Sequence, residues 1–316
     1  MTFGVNTRGW TIIDVGAGPS LCAVSVKTSV RADERPQVIA VAEHPSPDKE
    51  GEGAALRELM RGVDRGMPIL ITLARSEYKL RVMPEPAVPA REMLSSLRWS
   101  LSTEGDTAVD DIDLAWMRIP TAEQLPARPG QGYAVIVGKA WISSRMTEWR
   151  QAGLRPKVVD IRETALRNIS GVLERPGEGL ALLSVDSEGV AMVFTHQGSL
   201  YLDRYIEQPL AELQSADSAS RIRLFERIAV QLLRSIDVVG RSYPFMPVTR
   251  VLVAPEPEGI GLRDYLSEQL PMPIETLDLG EVFDLVKVPA LAQSPALQAR
   301  CLVALGASLR GAKAAA

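Results

Sequence analysis

Residues 179–206 read GLALLSVDSEGVAMVFTHQGSLYLDRYI, and this stretch decides the fold. Three runs of apolar and β-branched residues, typical of strands, are separated by the turn residues 186–189 and 197–198. Apolar residues at helical spacing follow, and they predict a long helix over 221–240. A strand in VTRVLVA, a helix in GLRDYLSEQL and a strand in PIETLDL complete the pattern.

The beginning of the chain repeats this pattern. TIIDV, LCAVSV and QVIAVAEH predict three strands, and a helix carrying Leu56, Leu59 and Met60 on one face precedes a strand in PILITLA. Two copies of β-β-β-α-β in one chain indicate an α/β body of two related halves with a cleft between them.

Composition excludes several classes of function. The net charge is −4 with acidic and basic residues interspersed, so the chain lacks the basic surface that nucleic acid requires. No run of about 18 apolar residues predicts a membrane span, and the first residues do not resemble a signal peptide. Cys22 and Cys301 lie among apolar neighbours, which favours buried free thiols and a reducing compartment, so we expect a cytoplasmic protein.

The sequence contains no convincing dinucleotide or metal motif. Gly16-Ala17-Gly18 follows a strand, but Leu21 stands where a third glycine would be, and another strand follows instead of a helix. His44 and His196 have no cysteine or carboxylate cluster at metal-ligand spacing, so we predict no metal site.

Two aspartates occupy equivalent places in the two halves. Asp14-Val15-Gly16 and the turn from Asp186 to Gly189 both follow the first strand of a three-strand unit. This pair resembles the phosphate-binding hairpins of the actin, sugar-kinase and Hsp70 superfamily, in which the hairpins bind nucleotide phosphates and Mg²⁺ lies between them.

Longer motifs make the resemblance more specific. SEYKLRVMPEP, REMLSSLRWSLS, DDIDLAWMRIP, WRQAGLRPKVVDIRETALRNI and QLLRSIDVVGRSYP occur in this order over nearly the whole chain. In this respect the chain resembles the PilM family of type IV pilus assembly proteins, and more closely its MshI relatives from mannose-sensitive haemagglutinin (MSHA) pilus biogenesis.

The resemblance implies an actin-like fold, with ribonuclease H-like halves formed by residues 1–73 plus 158–177 and by residues 178–316. It also implies a small inserted α+β subdomain at 74–157 and a reduced insertion in the second half. The protein is then expected in the cytoplasm at the inner membrane, where it would bind the cytoplasmic tail of a PilN-like bitopic partner. Its other partners would be the pilus assembly platform and motor.

The residues of the implied nucleotide site depart from the family pattern. The remnants of that site are Asp14, Gly16, Ser20, Asp186 and Glu188. Glu188 stands where the second hairpin of such proteins usually has its glycine. A carboxylate about 4 Å from a phosphate oxygen raises the free energy of binding by about 4 kcal/mol at an effective dielectric constant of 20.

Three further departures disfavour nucleotide binding. Leu21 or Cys22 stands where a polar residue is usual, and Pro255-Glu256-Pro257-Glu258 replaces a Gly-Gly pair after a late strand. The segment 209–220 is too short for the subdomain that walls the adenine in relatives. We therefore expect no cofactor and no enzymatic activity. The alternative is an ATP-binding, actin-like ATPase or nucleotide switch of the same machine, in which Asp14 and Asp186 hold Mg²⁺.

A partner groove is expected between the inserted subdomain and the first half. Tyr78, Leu80, Arg81 and Arg162 are its predicted wall residues, chosen for their positions in the chain. An extended peptide could add to an exposed strand edge there, and Arg81 or Arg162 would pair with a carboxylate of the peptide.

Overall fold

The computed structural model describes residues 9–16, 20–28, 34–45, 51–103, 111–121, 130–257 and 260–311. These residues form two compact units. The larger unit comprises the described residues up to Leu73 and from Pro156 onward, and the smaller unit extends from Ala74 to Arg155.

Residues 9–72 form most of the first half of the larger unit. The elements are β1 (Gly9–Asp14), β2 (Ser20–Lys27), β3 (Gln37–Pro45), α1 (Glu52–Leu59) and β4 (Ile69–Thr72). β1 pairs antiparallel with β2 and parallel with β4, so that Thr72 lies beside Asp14. Every residue of β1 is buried, as expected for a central strand.

The smaller unit is an antiparallel sheet with two helices. Its elements are β5 (Lys79–Pro84), α2 (Met93–Thr103), β6 (Ile112–Ile119), β7 (Gln131–Gly138) and α3 (Lys139–Gln151). The strand order is β5-β7-β6, so β5 is an edge strand. Its core consists of Met83, Leu97, Leu101, Ile112, Leu114 and Ala134.

The chain then returns to the larger unit. Its remaining elements are β8 (Pro156–Asp160), α4 (Arg162–Leu173), β9 (Gly179–Val185), β10 (Val190–His196), β11 (Ser199–Ile206), α5 (Leu210–Ser215), α6 (Ser218–Ser242), β12 (Val248–Val253), α7 (Leu262–Gln269), β13 (Ile274–Thr276), α8 (Leu279–Val282), α9 (Pro289–Gln293) and α10 (Pro295–Ser308). α6 begins earlier than the predicted residue 221 because the Asp217 side chain accepts a hydrogen bond from the Ser220 N–H and caps the helix.

The two halves contain the same sheet. The strand orders are β3-β2-β1-β4-β8 and β11-β10-β9-β12-β13. In each sheet the first three strands are antiparallel and the last two continue parallel to the central strand. This topology confirms the predicted duplication of the β-β-β-α-β unit.

Helices α4 and α10 connect the two halves. α10 packs on β1, β2 and β4 of the first sheet, while α4 contacts α10 and strands β9, β10 and β11 of the second sheet. A Cβ atom on Gly306 would lie 2.3 Å from the Ala165 carbonyl oxygen, so only glycine permits this approach of α10 to α4. Among the described residues, no helix is both long and apolar enough to cross a membrane.

Candidate functional site

Polar side chains collect at one edge of the first sheet. Asp14, Thr72 and Asp160 end the neighbouring parallel strands β1, β4 and β8, and all three are buried. The carboxyl edge of parallel strands is where ligands usually bind in open α/β sheets. The candidate site is therefore built outward from this edge.

Asp14 is held from two sides. Thr72 Oγ1 donates a hydrogen bond of 2.7 Å to Asp14 Oδ1, and the Gly16 N–H donates one of 3.1 Å to the same oxygen. Burial nevertheless raises the pKa of Asp14 to about 6, against the lowering effect of these two hydrogen bonds. A carboxyl group that titrates near neutral pH thus lies at the base of the site.

Asp160 fixes the start of α4. Its carboxylate accepts hydrogen bonds from the Ile161 N–H and from the Thr164 hydroxyl, and it pairs with Arg310 at an Nη1–Oδ2 distance of 2.7 Å. An acidic group at a helix N-terminus is favourable because it meets unpaired N–H groups there. Asp160 therefore sets the position of Arg162, the first residue of the helix.

The second hairpin uses its own N–H groups. Asp186 Oδ1 accepts hydrogen bonds from the N–H groups of Glu188 and Gly189, at 2.9 and 3.1 Å. Gly189 is required at this turn, since a Cβ atom there would lie 2.3 Å from the Ile206 carbonyl oxygen. Two N–H groups of the turn are thus occupied by the turn's own aspartate and do not point to an external phosphate.

Arg162 pairs with the same aspartate. Its Nη2 contacts Asp186 Oδ2, and the arginine side chain is 4% exposed and the aspartate 21%. Arg162 Nε and Nη1 are buried and have no hydrogen-bond partner among the described residues. Arg162 is one of the predicted wall residues of the partner groove; in the structure its side chain is buried within the larger unit, where it contacts Asp186 of the second hairpin.

The two hairpins share one electrostatic environment. The positive charge of Arg162 lowers the pKa of Asp14, and the negative charge of Glu188 raises it. The Arg162 guanidinium therefore contacts Asp186 and lies near enough to Asp14 to influence its pKa, as does the Glu188 carboxylate. Within the part of the chain that the structure describes, no group of three His, Cys, Asp or Glu residues is arranged to hold a metal ion.

Two hydroxyl groups complete the predicted remnants and their surroundings. Ser20 begins β2, and Ser187 lies in the second turn. Both Oγ atoms are buried without a hydrogen-bond partner among the described residues. Gly16 lies beside Asp14 as predicted, but residues 17–19 of the first turn are outside the described residues.

The loop after β12 carries a half-buried acid, Glu256. Burial raises the pKa of Glu256 to about 7, and the Arg263 N–H donates a hydrogen bond of 3.4 Å to its carboxylate. Pro255 and Pro257 flank this residue, whereas Glu258 lies outside the described residues. Pro255 and Pro257 have no N–H group to donate, and Glu256 places an acidic side chain between them.

The other predicted groove residues belong to the smaller unit. Tyr78 is buried, and the Arg75 guanidinium lies 5.1 Å from its ring centre. Leu80 and Arg81 are half-buried on β5, beside Val135 and Ala134 of β7.

Sequence reasoning missed Thr72, Asp160 and Arg310, which the structure places at or beside this edge of the first sheet. Thr72 ends a short apolar strand parallel to β1, and that position was a usable signal for a contact with Asp14. The ion pair between Arg310 and Asp160 joins residues 150 positions apart, so no local sequence pattern predicts it.

Comparisons with known proteins bear on the fold. No family model and no curated protein matches the chain. One solved structure, a PilM-PilN type IV pilus biogenesis complex, contains a chain that is 21% identical, with a TM-score of 0.65 over 95% of this chain and 98% of that one. This overlap and the repeated strand order confirm the predicted actin-like fold.

Two other solved structures overlap less closely. The cytoplasmic domain of EpsL, an inner membrane component of the Vibrio cholerae type II secretion system, is 13% identical, with a TM-score of 0.46 over 94% of this chain and 93% of that one. A Bacteroides thetaiotaomicron protein with an actin-like ATPase fold is 10% identical, with a TM-score of 0.49 over 92% of this chain and 98% of that one.

Proposed function

We propose that this chain is a non-catalytic, actin-like scaffold of the PilM type, and more closely of the MshI type, in a type IV pilus or related secretion machine. It would lie on the cytoplasmic side of the inner membrane and bind the cytoplasmic tail of a PilN-like partner. The structural overlap with the PilM chain over nearly the full length supports the PilM-type assignment.

The pairing of Arg162 with Asp186 is the observation that carries the non-catalytic part. Asp186 is the aspartate that would face the phosphate and the metal in a nucleotide site. It accepts hydrogen bonds from two N–H groups of its own turn and contacts the buried guanidinium of Arg162. Glu188 adds a negative charge close enough to raise the pKa of Asp14. An incoming triphosphate would have to displace the arginine and tolerate the remaining carboxylates, which disfavours binding.

The smaller unit supplies the proposed peptide surface. β5 is an edge strand, so the side of β5 away from β7 can in principle accept another strand. Leu80 and Arg81 lie in the middle of β5 and are half-buried. We place the partner tail along this edge.

Calorimetric titration of the full chain with synthetic N-terminal tails of PilN-like proteins tests the scaffold. We expect at least one tail to bind, with the same Kd in the presence and absence of 1 mM Mg-ATP, a concentration chosen on the order of cellular levels. Leu80→Asp should weaken this binding at least about tenfold, since it places a charge on the strand that receives the peptide.

Leu94→Asp is the matched control, because Leu94 lies on α2 of the same unit and is 38% exposed. Absence of binding by every tail, or equal losses in the two variants, would reject the proposed peptide surface. Binding that requires Mg-ATP would instead favour a nucleotide switch.

A further inference from the structure

One face of helix α6 is exposed in the part of the chain that the structure describes. Its buried residues Phe225, Ile228, Leu232 and Val239 form the face that packs toward the second sheet. At 1.5 Å per residue, the 25 residues of the helix extend about 37 Å. Exposed residues occur on the opposite face along this whole length.

The exposed face is unusually apolar. Eight large hydrophobic side chains are exposed among the described residues, and four of them belong to α6. They are Ile222, Val230, Leu233 and Val238, with exposed fractions of 48%, 44%, 41% and 38%. With 3.6 residues per turn, Ile222, Val230 and Leu233 lie within about 80° of one another around the helix axis, whereas Val238 lies about 80° further round. Single exposed apolar residues are ordinary on a protein surface, whereas several on one side of a helix are typical of an interaction surface.

A row of arginines follows the apolar row. Arg223, Arg227, Arg234 and Arg241 are all exposed. With 3.6 residues per turn, their positions fall within about 40° of one another around the helix axis. We call this row the arginine ridge.

Among the described residues, two of the four ridge arginines have a polar side-chain partner. Arg241 pairs with Asp237 at 2.9 Å, and Arg223 donates a hydrogen bond to the Ser220 hydroxyl. Arg227 and Arg234 make no ion pair or hydrogen bond with any described residue. Four arginines and the exposed acids Glu226 and Asp237 give this face a formal charge of 4 − 2 = +2, on a chain whose net charge is −4.

We propose that this face of α6 binds an amphipathic helix of a protein partner, one whose apolar side chains pack on Ile222, Val230 and Leu233 and whose acidic side chains pair with the arginine ridge. Helices commonly pack apolar stripe against apolar stripe, and flanking charges of opposite sign then fix the partner and its orientation. The surface differs in place and chemistry from the strand edge proposed for the partner tail.

Other occupants fit this face less well. An anionic membrane is disfavoured because Glu226 lies among the apolar residues, and insertion would bring its carboxylate to the negatively charged headgroups. The exposed face also lacks the tryptophan and phenylalanine that are typical of interfacial helices. In a symmetric antiparallel pair with a second copy, like flanks of the two helices face each other, and the arginine ridges would repel.

The test uses a designed helical peptide of about 25 residues, with leucines at the core positions of a heptad repeat and glutamates beside them. Binding to the full chain is measured by fluorescence anisotropy, with a second peptide carrying glutamine in place of glutamate. We expect the glutamate peptide to bind at least about tenfold more tightly. The variant Arg227→Glu/Arg234→Glu should lose this preference, and a lysine version of the peptide should bind the variant better than the wild type.

Arg57→Glu/Arg61→Glu reverses two exposed charges elsewhere and serves as the control. Circular dichroism and melting temperature verify that each variant is folded. Absence of binding by the glutamate peptide, equal binding of both peptides, or an equal loss in the control variant would overturn the proposal. Two further results would overturn it: binding of the wild type to phosphatidylglycerol vesicles, or its sedimentation as a dimer. Either result would count if the Arg227→Glu/Arg234→Glu variant abolished it and left peptide binding unchanged.

Discussion

At the scale of single residues, the protein supplies its own cation to the site between the hairpins. Arg162 contacts the carboxylate of Asp186 and lowers the pKa of Asp14. A buried ion pair contributes little net stability, but removing one partner leaves a charge that is neither solvated nor neutralised. The arginine is therefore expected to matter for stability as well as for exclusion of a nucleotide.

The variant Arg162→Gln should be destabilised by about 3 kcal/mol at pH 7, the lower end of the range for breaking a buried pair, because Asp186 keeps some contact with solvent. Urea unfolding followed by circular dichroism measures this change. Arg241→Gln is the control: its pair with Asp237 is largely exposed, and its loss should cost less than about 1 kcal/mol. Similar costs for the two variants would contradict the buried role of Arg162.

Asp14 should make the protein less stable as the pH rises. Since burial raises the pKa of Asp14 from 3.8 to about 6, the folded state retains a proton that the unfolded state releases between these values. The resulting decrease in the free energy of unfolding is absent below about pH 4 and has its full size above about pH 6.

Asn at this position keeps the hydrogen bond from Thr72 but carries no charge. Asp14→Asn should therefore be more stable than the wild type by up to about 3 kcal/mol at pH 7, since one pH unit of pKa difference corresponds to 1.36 kcal/mol. The advantage should disappear near pH 4. Urea unfolding of both proteins from pH 4 to pH 7 measures it, and a constant difference across this range would contradict the raised pKa.

At the scale of elements, α10 holds the two halves together through a close helix contact. Gly306 approaches Ala165 of α4 so closely that a Cβ atom would overlap the carbonyl oxygen, and the Asn168 side chain donates a hydrogen bond of 3.1 Å to the Gly306 carbonyl oxygen. The contact depends on a missing side chain.

Gly306→Ala should cost about 2 kcal/mol, because the added methyl group forces α10 and α4 apart. Gly240→Ala is a matched substitution near the end of α6, where no atom lies within 4 Å of the new Cβ. It should be neutral or stabilising by up to about 1 kcal/mol, because alanine favours helix more than glycine does. Thermal unfolding compares the two variants, and equal effects would reject the close contact.

The same helix brings the two cysteines together. Cys22 on β2 and Cys301 on α10 are buried, with their Sγ atoms 2.9 Å apart. The hydrogen bond between the thiols, and then burial, raise the pKa of Cys22 well above its usual range. Since both thiols are buried, neither is accessible to a reagent in solution while the protein is folded.

A disulfide reagent such as DTNB should find no reactive thiol in the reduced native protein at pH 8 over several minutes. In guanidinium chloride it should find two. Rapid reaction of one thiol in the native protein would contradict the burial of this pair.

At the scale of the whole molecule, the duplicated fold could be predicted from the sequence, whereas the ion pairs beside the two hairpins could not. The strands of residues 179–206 and their counterparts after Gly9 are visible because alternation and turn residues are local signals. Glu188 and the prolines near Glu256 are likewise visible in the sequence, and they are the local basis for predicting a weakened nucleotide site. The Arg162–Asp186 and Arg310–Asp160 pairs depend on how α4 and α10 pack between the halves, which no local pattern encodes.

The most direct measurement is the melting temperature of the full chain with and without Mg-ATP. A ligand at 100 times its Kd adds about 2.7 kcal/mol of stability, which raises the melting temperature of a protein of this size by several degrees. Because Arg162 pairs with Asp186 and Glu188 adds a negative charge near Asp14, we predict an unchanged melting temperature at 5 mM Mg-ATP, a concentration on the order of the highest cellular levels. A rise of several degrees that Asp14→Asn abolishes would show that the cleft still binds nucleotide.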